Sequence, residues 1–348
     1  GVIDKVGAGV YRKVGERVWV FNGQWDRPFG TSAQMITLPA ALAVPLPDQV
    51  GFEQGACLGI PVMTAHRALF ADGPIAGKTV LVTGGAGVVG HYAIQLAKWA
   101  GARVVTTVSS DAKAAHASAA GADIVINYRS EDVAARIKSA SGGVDRIVEV
   151  DFGKNLPVSV EVLKDSGVIA CYASTGIPRP QYPYPELLWR NPVARQVFVY
   201  TMPDAAKSQS HADIARWVNE TQPIFAIAER FKLADVISAH QAVERGDREE
   251  LVERPVVEQG LEDREVADVL FGQHRVEARQ LVRDVVRVLE VLADLPADVP
   301  EEAVRMGAFL EAETDGRQGR GFGEDVLVGK RGDGSFARRL ESVDSQVH

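Results

Sequence analysis

The strongest constraint on this fold is the passage Thr79-Val80-Leu81-Val82-Thr83, followed at once by Gly84-Gly85-Ala86-Gly87-Val88-Val89-Gly90. The first five residues form a largely apolar run, as expected of a strand buried on both faces of a parallel sheet. A helix-like stretch follows from His91 to Ala100. Gly85-x-Gly87-x-x-Gly90 therefore sits where a strand gives way to a helix, the setting in which this spacing serves a dinucleotide. Gly85 is expected to permit the tight turn. Gly87 leaves room for a pyrophosphate, and Gly90 lets helix and strand pack closely. The helix N-terminus offers unpaired N–H donors and a positive dipole end to the phosphates. An ordinary Gly-rich turn is the competing reading.

Strand-like and helix-like segments alternate downstream. Arg103–Val108, Ile124–Ile126, Asp145–Val150 and Gly167–Tyr172 read as strands, and Val197–Tyr200 as a sixth. Asp111–Ala120 and Val133–Ser139 read as helices between them. That order implies right-handed crossovers and an α/β fold with a doubly wound parallel sheet. Ahead of it, Val18–Phe21 and Gln34–Leu38 read as short strands. Residues 52–70 read as helical with a break at Gly59-Ile60-Pro61, where Pro61 can open the second piece.

The strand after the glycines ends where a ribose would be discriminated. A site for an unphosphorylated ribose places Asp or Glu at that tip. Here Ser109-Ser110 occupy it, Asp111 is displaced into the helix start, and Lys113 follows. Two hydroxyls and an ammonium suit a 2′-phosphate, so NADP(H) is favoured. Ser110 as a plain helix cap and Lys113 as a solvated side chain fit the same residues. Other chemistry is sparse. His66, His91 and His116 lack a second ligand at metal spacing. Ser174 and Thr175 lack a nucleophile-elbow setting. Tyr182 and Tyr184 alternate with prolines and suit either a substrate wall or packing.

Composition narrows the function classes. Only Cys57 and Cys171 are cysteines, too few for a disulfide framework or a four-thiolate zinc site. No apolar run is long enough to span a membrane, and no secretory leader is visible, so a cytoplasmic protein is expected. A net charge of −8 argues against nucleic acid as a partner. That charge is uneven: residues 1–248 carry 25 basic and 23 acidic side chains, residues 249–348 carry 13 and 23. The last hundred residues contain no Ile, Tyr, Trp, Cys or Asn, and one Lys. Within them Arg279–Leu295 has a helical apolar stripe. Beyond residue 315 the Gly-rich charged sequence predicts disorder.

Gly59-Ile60-Pro61-Val62-Met63-Thr64-Ala65-His66-Arg67-Ala68-Leu69, the strand and glycines of residues 80–90, Asn127-Tyr128-Arg129, Phe198-Val199-Tyr200-Thr201 and Ala239-His240-Gln241-Ala242-Val243 occur in an order that resembles the medium-chain dehydrogenase/reductase superfamily. The nearest branch is the zinc-independent quinone oxidoreductases. The resemblance covers roughly residues 1–247. It implies a Rossmann doubly wound sheet with a partial GroES-like β domain, and a helical or disordered C-terminal tail. The implied limits are 1–62 for the partial catalytic domain, 63–201 for the NADP-binding domain, 202–248 for a return segment and 249–348 for the acidic tail. It places Thr64 beside the nicotinamide as the catalytic position, and Gly87, Val88 and Val89 against the pyrophosphate. It sets Ser109, Lys113 and Tyr128 around the 2′-phosphate, and the loops of Ser174 and Tyr200 along the nicotinamide. No metal is implied. The activity implied is NADPH-dependent hydride transfer to a quinone or α,β-unsaturated carbonyl. The alternative is an NADP(H)-binding protein without turnover. A homodimer paired through the last Rossmann strand, near Val197–Tyr200, is also implied. Relative to the family, the chain opens inside the β domain, without an Asn-Pro-Val-Asp-like segment, and diverges after Gly246-Asp247. A shifted reading frame and an appended helical domain both account for the divergent tail.

Overall fold

The computed structural model describes residues 1–245, 327–330 and 336–339. The chain divides into two units, residues 1–274 and 275–348. The first opens with a small antiparallel ladder of β1 (Val18–Val20) and β2 (Ala43–Pro45), with Trp19 opposite Val44. Gln34–Leu38, expected as a strand, is irregular instead. No described strand pairs with it and Met35 is 70% exposed, so the segment has neither a ladder nor a fully buried face. Helices α1 (Phe52–Ala56) and α2 (Ile60–Phe70) follow, and Pro61 lies in the first turn of α2, where no N–H is needed.

The main sheet has six parallel strands: β3 (Thr79–Val82), β4 (Arg103–Val108), β5 (Ile124–Asn127), β6 (Val144–Glu149), β7 (Leu163–Cys171) and β8 (Val193–Gln196). Helices α3 (Val88–Trp99), α4 (Asp111–Ala119), α5 (Val133–Ser141) and α6 (Phe152–Val162) connect the first five strands in turn. A short α7 (Tyr184–Leu188) precedes β8, and α8 (Asp204–Glu220) and α9 (Val236–Arg245) follow it. The spatial order is β5-β4-β3-β6-β7-β8. The chain winds outward one way from β3 and the other way from β6, so the switch point lies between them.

Successive residues on a strand face opposite sides, and the core divides accordingly. Val80, Val82, Val104 and Val148 join α2, α3 and α8 in one cluster, which holds Leu69, Ile94, Leu96 and Trp217. Leu81, Val105 and Ile147 point the other way and meet Ile137 of α5 and Val162 of α6. Continuous apolar strands are thus required, because both faces are covered.

One boundary and one helix here depart from expectation. The sixth strand is Val193–Gln196, with Val197–Tyr200 beyond it. Val197 N–H still bonds the Cys171 carbonyl, but β7 stops there, so residues 199–201 have no strand to pair with and wind into a 3-10 turn. Helix α6 was not expected, because Pro157 lies inside it. The proline removes one helical bond, while Leu156, Ser159 and Val162 on the same helix are buried. In the second unit the described residues are β9 (Leu327–Lys330) and β10 (Phe336–Arg339), paired antiparallel with Phe336 opposite Lys330. Composition alone points to disorder there and does not reveal this short ladder. The Arg279–Leu295 stripe lies outside the described residues.

Candidate functional site

The Gly-rich turn leaves β3 at the switch point, outside the carboxyl ends of the strands, where open α/β sheets bind ligands. Gly84 carries the left-handed backbone of the turn, with φ +68°, one residue before the Gly85 expected to permit it. Gly85 serves close approach instead. A Cβ there would overlap the Thr106 hydroxyl of β4 and lie 2.9 Å from Ile94 of α3. A Cβ on Gly90 would overlap the Gly84 carbonyl and lie 2.9 Å from the Gly85 Cα. These glycines pin α3 against the turn. Gly87 N–H bonds the Gly84 carbonyl at 2.9 Å, and the first α3 bond runs from His91 N–H to the Gly87 carbonyl at 2.8 Å. The N–H groups of Val88, Val89 and Gly90 therefore have no intrahelical acceptor, which suits an anion.

Next along the rim is the tip of β4. Ser109 is buried, and the Lys113 ammonium donates to its hydroxyl at 3.1 Å. Ser110 caps α4, accepting from Lys113 N–H at 3.4 Å, so the cap and the Lys–Ser pair coexist. Tyr128 follows β5 beside this tip. Its N–H bonds the Val108 carbonyl at 3.1 Å and its ring is half exposed. Ser109, Lys113 and Tyr128 are thus brought to one corner. Asp111 is exposed in the first turn of α4.

Two of the remaining expected residues, Ser174 and Tyr200, follow the other strands. Ser174, after β7, accepts from Gly153 N–H at 3.0 Å and donates to the Ile177 carbonyl at 2.7 Å, which fastens its loop to the start of α6. Tyr200, in the turn after β8, packs its ring at a tilt against Trp25, 4.5 Å away, and Phe198, 5.0 Å away. Thr64 sits apart from the strand tips, buried on α2, and donates to the Ile60 carbonyl at 2.7 Å. The turn holding Tyr200 packs against α2.

Sequence reasoning passed over Glu149, which ends β6 at the switch point and is fully buried. Its Oε1 accepts from Thr83 Oγ1 at 3.0 Å, Asp151 N–H at 2.6 Å and Asn155 Nδ2 at 2.7 Å. Burial raises its pKa, these three bonds oppose the rise, and Asp151 adds repulsion. A carboxylate closing an apolar strand was the only available signal.

The histidines pack against their neighbours. His91 stacks on His116 at 4.4 Å and bonds the Ile224 carbonyl, and burial lowers its pKa to about 4, helped by His116. Burial also lowers the pKa of His66, against the pull of its 2.9 Å partner Asp213 on α8. Among the described residues no three His, Cys, Asp or Glu side chains group to hold a metal. Cys57 bonds the Glu53 carbonyl and Cys171 the Arg195 carbonyl, on separate elements.

A parallel sheet of this order with a glycine turn at its switch point defines a dinucleotide-fold protein of the dehydrogenase type. Comparison with known proteins is more specific. Residues 88–216 match the family described as zinc-binding dehydrogenase. A quinone oxidoreductase of Rattus norvegicus is 37% identical over 187 residues, which cover 51% of this chain and 55% of that protein. The chain spans about half the length of the curated relatives it matches. A mycobacterial protein solved with NADPH is 30% identical, with a TM-score of 0.61 over 72% of this chain and 78% of that one. The Escherichia coli quinone oxidoreductase solved with NADPH is 25% identical, with a TM-score of 0.60 over 70% and 77%. The chain belongs to the medium-chain dehydrogenase/reductase superfamily, on its quinone oxidoreductase-like branch.

Proposed function

We propose that the chain binds NADPH and uses it to reduce a quinone or an α,β-unsaturated carbonyl, with no metal taking part. The observation that carries this is the Lys113–Ser109 pair at the tip of β4, beside the glycine turn at the switch point. A cation and a hydroxyl replace the carboxylate that an unphosphorylated ribose would call for. The NADPH complexes of two structural relatives support the same cofactor.

The residues divide the work by place on the rim. The N–H groups of Val88, Val89 and Gly90 hold the pyrophosphate, with Gly85 and Gly90 fixing the helix behind them. Ser109, Lys113 and Tyr128 hold the 2′-phosphate and adenosine. Thr64 on α2 lies beside the nicotinamide, and the loops of Ser174 and Tyr200 flank it. Bound there, the reduced cofactor supplies a hydride. The acceptor is already electrophilic, so holding it in position supplies much of the rate effect. Water delivers the proton. A reducing, cytoplasmic setting fits two buried thiols that are not joined to each other. The chain pairs with a second copy along β8, an edge strand where Val193 is exposed next to Leu188 and Trp189.

Turnover tests the activity. The chain, NADPH and a quinone are mixed and the loss of NADPH absorbance followed, with and without a chelator. Acceptor-dependent loss that survives the chelator is expected. Binding of NADPH without any acceptor reduction would contradict the enzymatic reading and favour a cofactor-binding protein without turnover.

A further inference from the structure

Glu149 sits beneath the glycine turn without facing the solvent. Three strand ends meet at it. Thr83, the last residue before Gly84, bonds its carboxyl oxygen from the β3 side. Its own backbone carbonyl accepts from Tyr172 N–H at 3.1 Å, beyond β7. Asp151 N–H and the Asn155 amide reach it from the start of α6. Thr83 is held from several directions at once. Its N–H bonds the Val148 carbonyl at 3.0 Å, and its hydroxyl accepts from Val150 N–H at 2.9 Å. A Cβ on Gly84 would lie 3.2 Å from the Val150 side chain. The glycine turn is thus held from two sides, by Thr107 of β4, which takes the Gly84 and Gly85 N–H groups at 3.2 and 3.1 Å, and by Thr83, which is tied to the Glu149 carboxyl.

The two oxygens of that carboxyl are unequal. Oε1 takes all three donors, whereas Oε2 is buried with no hydrogen-bond partner. Ionised, the group would place unmatched negative charge on Oε2 in a site closed to solvent. Protonated on Oε2, it leaves only one hydrogen bond unmade, a far smaller cost. The three donors to Oε1 favour ionisation, but burial outweighs them, and Asp151, just before α6, adds repulsion; Cys171 and Tyr172 on the β7 side bring no positive charge.

We infer that Glu149 is a positioning residue that works as a neutral acid: through Thr83 it holds the Gly84-Gly85 turn in the shape that receives a nucleotide pyrophosphate. This role rests on the proposed nucleotide site, and it predicts a particular pattern among variants. Glu149→Gln keeps the length and the acceptor oxygen of the neutral acid. Glu149→Asp is one methylene too short to reach Thr83 and Asn155 together. Thr83→Val removes the hydroxyl at the other end of the link.

The full chain and these three variants are titrated with NADPH and, separately, with 2′-AMP, which engages only the 2′-phosphate corner. Circular dichroism checks that each is folded. Glu149→Gln is expected to bind NADPH within about twofold of the parent, while Glu149→Asp and Thr83→Val bind it at least about tenfold more weakly. All should bind 2′-AMP as the parent does, a split that general loss of structure would not produce. If Glu149→Asp does not fold, Thr83→Val decides. NADPH binding at parental strength in both Glu149→Asp and Thr83→Val would overturn the role, and so would a Glu149→Gln that falls as far as Glu149→Asp. A parent chain that binds 2′-AMP but not NADPH would overturn it too. Absence of both ligands from the parent would mark failure of the nucleotide site itself.

Discussion

At the tip of β4, one lysine and one serine are proposed to set which cofactor the site prefers. The Lys113 ammonium is already on the Ser109 hydroxyl, so a 2′-phosphate arriving there meets a preformed pair. Lys113→Ala is expected to weaken NADPH binding about tenfold and leave NADH binding within about twofold, since a charge-assisted bond contributes about 1.5–3 kcal/mol. Fluorescence titration with both cofactors reads the difference; equal loss for both would show that Lys113 acts on something other than the phosphate. Ser109 and Lys113 were legible in the sequence because their spacing puts both at one strand-to-helix junction. Glu149 was not, because its partner Thr83 lies 66 residues away and only the sheet brings them together. The glycine spacing shows where side chains are excluded. It does not show which glycine bears the left-handed backbone, which proved to be Gly84.

At the scale of elements, buried charge joins what the sheet alone would leave loose. Arg146 on β6 is nearly fully buried and donates to the Ala68 carbonyl at 2.5 Å and to Asp72 at 2.9 Å. Asp72 also takes the guanidinium of Arg195 on β8. One carboxylate thus ties the end of α2 to a central strand and to the sheet edge. Asp72→Asn is expected to cost about 3 kcal/mol in urea unfolding, since it leaves a buried guanidinium unmatched. A change below about 1 kcal/mol would mean solvent already screens the pair.

Helix α3 makes stability depend on acid. His91 stays neutral in the folded chain down to about pH 4, while an unfolded imidazole takes its proton near 6.5. Between those values the unfolded state binds more protons. Stability is therefore complete above about pH 6.5 and falls as pH drops towards 4, by roughly 3 kcal/mol. Burial of His66 and His211 acts in the same direction. Urea midpoints measured at about pH 7.5 and pH 5 should show the fall, and His91→Gln should reduce it. Equal midpoints in the parent would mean that His91 is not buried as described. The strands of this layer were readable because both faces are covered, so their apolar runs are continuous. Helix α6 was hidden by Pro157, and the end of β8 by the place where β7 stops, a tertiary fact with no local signal.

For the whole molecule, the order β5-β4-β3-β6-β7-β8 leaves two sheet edges, and exposed Leu188, Trp189 and Val193 lie at the β8 edge. Pairing along β8 is expected to give twice the chain mass in sedimentation, and Val193→Lys to return it to the single mass; a single mass in the parent would remove the proposed pairing. The alternation of strand and helix made the sheet legible from residue 79 onward. The irregular chain of residues 22–38 was not, because its shape follows from packing by Trp25 against Phe198 and Tyr200 rather than from any period. The glycine turn at the switch point and the Ser109–Lys113 pair are proposed to form one site for a 2′-phosphorylated dinucleotide. Titration of the full chain with NADPH and with NADH, followed by tryptophan fluorescence, tests it most directly. NADPH should bind at least about tenfold more tightly than NADH. Equal affinity for the two, or no binding of either, would contradict it.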